Sequence, residues 1–223
     1  MSMLAGFEER ATGLIAKHFP VEEIDAAPYA QMRYPKLLPM MRFRVRRFRI
    51  GGFGYLMVMQ TNAMGLMKLA TASFMPCSGV DVPYLLIDMM SMGSKRTVFV
   101  EYYDTTAMGV HFPLLNEVHD RYNDLPAYAE KPHWYVGERK PCSLIKGGTA
   151  ADEPRLTQMV EDSIAAYMNV ASNAGTNPEN LRGLAAFADR MVREGNPSTG
   201  TLEKVLGKEG AEAFFRQIVM PLK

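Results

Sequence analysis

Residues 41–105 read MRFRVRRFRIGGFGYLMVMQTNAMGLMKLATASFMPCSGVDVPYLLIDMMSMGSKRTVFVEYYDT, and the fold turns on how this stretch divides. MRFRVRRFRI alternates between apolar and charged residues, YLMVMQT and GLMKLATASF are apolar and partly β-branched, and VPYLLIDMM and RTVFVEYYDT complete the series. Each reads as a strand. Gly51-Gly52, Asn62, Ser78-Gly79 and Gly93-Ser94 mark the turns between them. Connections this short leave no room for crossover helices, so the sheet is largely antiparallel and a doubly wound nucleotide-binding fold is excluded.

Before the sheet, MSMLAGFEERATGLIAKHF places acids in a first turn and apolar residues at Leu4, Phe7, Ala11, Leu14 and Ile15, the pattern of a helix and not of a signal peptide. A proline-rich connector, PYAQMRYPKLLP, follows it. After the sheet, PLLNEVHDRY predicts a helix and PCSLIK a further strand. Asp152 and Pro154 start a longer helix with the stripe Leu156, Met159, Val160, Ile164, Tyr167 and Met168, ended by Gly175. Asn177 and Pro178 start the next, with Leu181, Leu184, Phe187 or Ala188, Met191 and Val192 on one face and Gly195 as its stop. TLEKVLG and EGAEAFFRQIV form a shorter helical pair. One helix before the sheet and several after it can cover both faces. The expectation is an α+β chain, an α/β/α sandwich around a central, largely antiparallel sheet, with residues 1–223 in a single domain.

Composition narrows the function. A hydrophobic share of 48% and a charged share of 22% suit a soluble globular protein, and the net charge of +1 gives no general attraction to nucleic acid. No segment supplies the roughly eighteen unbroken apolar residues of a membrane helix, so a cytoplasmic protein without a membrane partner is expected. Cys77 and Cys142 lack CxxC spacing, and no pair among His18, His111, His119 and His133 has ligand spacing, so no bound metal is expected. IGGFG and KGGT match neither a dinucleotide-binding turn nor a P-loop.

Asp88 is the first candidate for chemistry. It ends an otherwise apolar run, where lost hydration must be replaced by a partner or by a proton. If SMGS makes a tight hairpin, Met92 pairs with Lys95 and Asp88 lies opposite Phe99, with Thr97 and Glu101 flanking it on the same face. That is either a proton-handling cluster or a hydrated sheet end. The methionines Met57, Met59, Met64, Met67, Met75, Met89, Met90 and Met92 crowd the strand section; they suit a pocket closing around a flat apolar ligand and serve equally as core filler. Arg42, Arg44, Arg46, Arg47 and Arg49 form a patch that can dock an acidic partner or guard an edge strand.

The stretch FMPCSGVDVPYLLIDMM places Phe74 and Pro76 before Pro83, seven residues on, and Asp88 five residues further. HWYVGERKPCSLIK and the tail NPSTGTLEKVLGKEGAEAFFRQIVMPL follow in order. In this order and spacing the chain resembles the ferredoxin-dependent bilin reductases, which reduce biliverdin-type linear tetrapyrroles, over about Gly65 to Leu222. The resemblance implies an antiparallel sheet between helices and a tetrapyrrole between the sheet and the C-terminal helices. It implies single electrons from ferredoxin, with no bound flavin or metal. Asp88 takes the place of the proton-donating aspartate, and the hairpin geometry adds Glu101 beside it as a second catalytic candidate. Thr97 falls on a hydroxyl position that holds a propionate, Lys146 on an arginine that holds the other, and Thr71 on a position that is histidine in many members and asparagine in others. Met75 and Met90 join the substrate-binding set, and the arginine cluster becomes the dock for an acidic, ferredoxin-like donor. The absent histidine, an absent H-x-E pair in YLMVMQTN, and Gly200 and Thr201 in place of two arginines leave a second expectation open: a non-catalytic tetrapyrrole carrier or chaperone on the same fold.

Overall fold

The computed structural model describes residues 2–106, 111–196 and 198–222; Pro197, within the quoted tail, lies outside them. Its centre is an eight-stranded sheet in which every pairing is antiparallel. The strands are β1 (Val21–Ile24), β2 (Gln31–Tyr34), β3 (Met41–Ile50), β4 (Gly54–Ala63), β5 (Met67–Met75), β6 (Tyr84–Met92), β7 (Lys95–Tyr103) and β8 (Leu144–Thr149). From β3 to β7 they lie side by side in chain order, as short hairpin connections require, and β8 joins the free edge of β7 after a long connection that contains a helix. The other two strands, β1 and β2, share the outer edge of β3, with Ile24 opposite Arg47 and Gln31 opposite Arg44. Neither was legible in the sequence, because VEEI and QMRY are only four residues long and half polar. The last strand starts at Leu144 and runs through Lys146-Gly147-Gly148, which places KGGT in the sheet.

Helices cover both faces. On one side α1 (Phe7–Ile15), α2 (Pro113–Arg121) and α3 (Glu153–Asn173) pack on Leu56, Val58, Ala72, Phe74, Ile87, Val98 and Val100. The predicted stripe of α3 is buried along its whole length. At the centre of this layer Tyr167 packs against Phe53, Phe74 and Tyr102 with ring centroids 5.9, 6.1 and 6.0 Å away, and its hydroxyl donates to the Pro83 carbonyl at 2.6 Å. On the other side lie α4 (Pro178–Arg193) and α5 (Thr199–Phe214), continued by a π turn over Phe215–Val219. Gly207, at φ 75° and ψ 166°, breaks α5 into the two predicted helices; this left-handed conformation strains any residue with a Cβ.

Two features fix α4. The Asn177 side chain caps it by accepting from the Glu179 amide at 3.0 Å. Fully buried Asn180 donates to the Val80 and Val82 carbonyls at 2.6 and 3.0 Å, tying the helix to the β5–β6 connection. Removing that amide takes one donor from each carbonyl at a fully buried position, and among the described residues Val80 keeps only the Val82 amide, which donates to it at 2.9 Å. Asn180→Ala is expected to lower unfolding stability by about 2–3 kcal/mol, measured by urea denaturation with an unchanged slope; a change below about 0.5 kcal/mol would show that the tie is dispensable.

Candidate functional site

Strand alternation sends Leu85, Ile87 and Met89 of β6 into the first helical layer and Tyr84, Leu86, Asp88 and Met90 to the opposite face. On that face, between the sheet and α4 and α5, lies a cavity of about 550 Å³, within the usual size of a small-molecule site. Its floor includes Met57, Met59, Met67 and Met90 from the sheet. Met191, Leu202, Phe214, Phe215 and Val219 close it from the C-terminal helices. Phe187 clamps α4 in place, its ring centroid 4.6 Å from that of Tyr103 and 5.9 Å from that of Tyr84. Ser73 latches the C-terminal turn: its hydroxyl donates to the Val219 carbonyl at 2.6 Å, so the 2.9 Å contact with Tyr84 has the phenol as donor.

The β6–β7 hairpin pairs Met92 with Lys95 and Asp88 with Phe99, so Asp88 and Glu101 are diagonal neighbours on the cavity wall. Asp88 also lies opposite Thr71 of β5, whose hydroxyl donates to Oδ1. Burial pushes the Asp88 carboxyl up to about 6 despite that hydrogen bond, because one hydroxyl replaces little of the lost hydration. Glu101 sits deeper. Burial pushes it up to about 7, opposed by the charge of Arg139 and reinforced by that of Asp88. Arg139 contacts Glu101 and also binds Glu130, at 3.0 Å for the second oxygen, so its single charge is divided between two carboxylates. The Tyr103 hydroxyl donates to Glu101 at 2.9 Å. Two carboxyls whose pKa values burial raises, Asp88 to about 6 and Glu101 to about 7, therefore face one apolar cavity.

The other sequence-named residues fall differently. Thr71 and Met90 line the cavity. Thr97 and Met75 are buried on the cavity side of the sheet and do not line it. Lys146 departs from its expected role. It pairs with Val98, on the face toward α2 and α3, and its ammonium donates to the Asn123 and Leu125 carbonyls at 3.0 and 3.1 Å. The arginine cluster is not one patch, because alternation sends Arg42, Arg44 and Arg46 to one face and Arg47 and Arg49 to the other. Arg46 binds Glu8, Glu9 and Glu23, Arg44 lies 3.6 Å from Glu8, Arg49 binds Glu22, and Arg47 lies over the Tyr55 ring. Unforeseen were Arg139, which reaches Glu101 from a distant segment, its other partner Glu130, Tyr103, and His133, stacked on Tyr135 at the cavity wall. Lys131 and Thr201 line it as well. Among the described residues no cluster of His, Cys, Asp and Glu could hold a metal ion, and no helix is long and apolar enough to cross a membrane.

No protein-family model matches the chain, and no curated protein matches it. Solved structures do. Selenomethionine phytochromobilin synthase from tomato, in complex with biliverdin, superposes with a TM-score of 0.78 at 10% sequence identity, over 96% of this chain and 81% of that one. At that identity the two share a fold, and the fold matches the α+β sandwich expected from the strand pattern.

An acid whose pKa is raised by folding makes the folded state bind more protons than the unfolded one, so its contribution to stability falls as pH rises from the ordinary carboxylate range through about 6. Asp88→Asn removes that cost. The variant is expected to be more stable than the parent at pH 8 by about 1–3 kcal/mol, the gap closing below about pH 4, as read from denaturation curves across pH. Equal stability at pH 8 would place Asp88 in full hydration.

Proposed function

We propose that the chain binds a biliverdin-type linear tetrapyrrole in this cavity and reduces one of its double bonds, as a ferredoxin-dependent bilin reductase. The observation that carries the reading is the pair of buried carboxyls with raised pKa values, Asp88 and Glu101, facing a methionine-lined cavity of about 550 Å³. The shared fold with a biliverdin-bound synthase supports the choice of ligand.

Adding two hydrogens across a double bond takes two electrons and two protons. The electrons come one at a time from a ferredoxin-like acidic donor, which is oxidised in the process. Asp88 gives the first proton from the wall where Thr71 orients it. A bound ligand excludes water from the cavity and lifts the Asp88 pKa further, so the acid is protonated when the electron arrives. Glu101, oriented by Tyr103 and Arg139, supplies the second. The adaptable methionines fit the ligand edge. Lys131 and Thr201 on the lining replace Lys146 in holding acidic side arms.

A carrier is the second reading. It is favoured by Thr71, a hydroxyl with no acid–base capacity near neutrality, which leaves Asp88 without a second titrating partner on β5.

The test is an anaerobic absorbance titration with biliverdin followed by reduced ferredoxin. Binding with a spectral change on reduction is the expected result, and binding without change selects the carrier. Asp88→Asn is expected to bind the ligand within about threefold of the parent and to turn over about 10²–10⁴ times more slowly; full turnover in that variant would remove Asp88 from the mechanism.

A further inference from the structure

The end of the sheet that bears the β2–β3 loop and the β4–β5 and β6–β7 turns is both apolar and basic. Tyr34, Met41, Ala63, Met67, Met92 and Lys95 form one row of paired positions across it. Beyond this row project Leu37, Leu38, Met40, Met64 and Leu66, exposed at 95%, 80%, 52%, 62% and 71%. The Met64 amide donates to the Met40 carbonyl at 2.9 Å, so the loop and the turn are one surface. Met41 and Met67 also line the cavity, which makes that surface continuous with the cavity wall.

The charge is as one-sided as the hydrophobicity. From Ala26 to Val80 the sequence contains no aspartate or glutamate. One residue inward from the apolar tips, Arg33 stands directly opposite Arg42, Arg42 pairs with Asn62, and Asn62 with Lys68. Like charges directly opposite each other destabilise a strand pair unless an anion lies over them. The acids that reach β3, which are Glu8, Glu9, Glu22 and Glu23, are engaged further along the strand by Arg44, Arg46 and Arg49. Arg33, Arg42 and Lys68 therefore have no acidic partner among the described residues.

We propose that this end of the sheet docks on an anionic lipid surface, with Leu37, Leu38 and Leu66 entering the headgroup boundary and Arg33, Arg42 and Lys68 lying against lipid phosphates. Apolar tips with cations one step behind them match the layering of a bilayer interface. A second copy of the chain would set basic rows against each other with no acid between them. A soluble acidic partner would have to carry a pocket for the projecting leucines, whereas a fluid bilayer closes around them. The continuity with the cavity gives an apolar ligand a path between lipid and protein that avoids water.

The test is sedimentation of the ligand-free protein with vesicles of phosphatidylcholine alone and of phosphatidylcholine with phosphatidylserine. Binding is expected on the anionic vesicles only and should weaken as salt rises. Arg42→Ala and Lys68→Ala are each expected to lower it about fivefold, and Leu37→Ser with Leu38→Ser at least about tenfold. The leucine variant should keep the parent's biliverdin titration in solution, so failure of the docking and failure of the ligand assignment are read separately. No binding to anionic vesicles, or binding that these variants leave intact, would overturn the proposal. So would a dimer that the leucine variant dissociates, which would assign the surface to a second copy, or capture of an acidic protein without vesicle binding.

Discussion

Side chains on an extended strand point alternately to opposite faces, and the architecture of this protein rests on that period of two. In β5, β6 and β7 one set of positions is apolar away from the hairpin end, at Ala70, Ala72, Phe74, Leu85, Ile87, Met89, Val98, Val100 and Tyr102, and builds the core under α1, α2 and α3. The other set carries Thr71, Ser73, Asp88, Glu101 and Tyr103, polar groups that an apolar layer would penalise by several kcal/mol if they were left without partners. The helices on this second side meet the sheet through Phe187, Phe214 and the Ser73 latch, and a cavity remains between these contacts. A shift of register by one residue would exchange the two sets and destroy both the core and the site.

The two carboxyls reach raised pKa values by different routes. Asp88 has one weak partner and partial contact with the open cavity. Glu101 has a cation, but one shared with Glu130 and placed where little water reaches. In both cases the cost of an unhydrated charge outweighs the available compensation, and so the pKa rises above the ordinary carboxylate range. Thr71 and Tyr103 then orient the carboxyls without neutralising them, a division of labour between positioning and charge.

Much of this was visible in the sequence because it is local. Five strands separated by glycine and asparagine turns, the tight hairpin at Ser91–Ser94, the stripe on α3 and the caps of α4 all follow from neighbouring residues. The opposition of Asp88 and Phe99 followed from hairpin geometry alone. What lay hidden depends on contacts between distant segments. Arg139 gives no sign in HWYVGERKPC that it meets Glu101 and Glu130, and the run of arginines gives no sign that acids from α1 and β1 engage three of its members. Lys146 was misread for a related reason. Its side-chain direction depends on the register of β8 against β7, a pairing across more than forty residues of intervening chain.

The wall of the cavity is uneven in its capacity to yield. Within α4, a Cβ on Gly183 would lie 2.5 Å from the Thr105 carbonyl oxygen, so the helix and the strand exit meet backbone to backbone. Nothing soft separates them, and the helix has no clearance in which to rock toward the sheet. The facing floor is the reverse, a set of unbranched thioethers on a fixed ladder. Accommodation of different guests is thus a matter of rotamer choice on the floor, with the ceiling held stationary, and the molecule should read small differences in ligand contour as sulfur displacements of an ångström or so with no accompanying motion of the backbone.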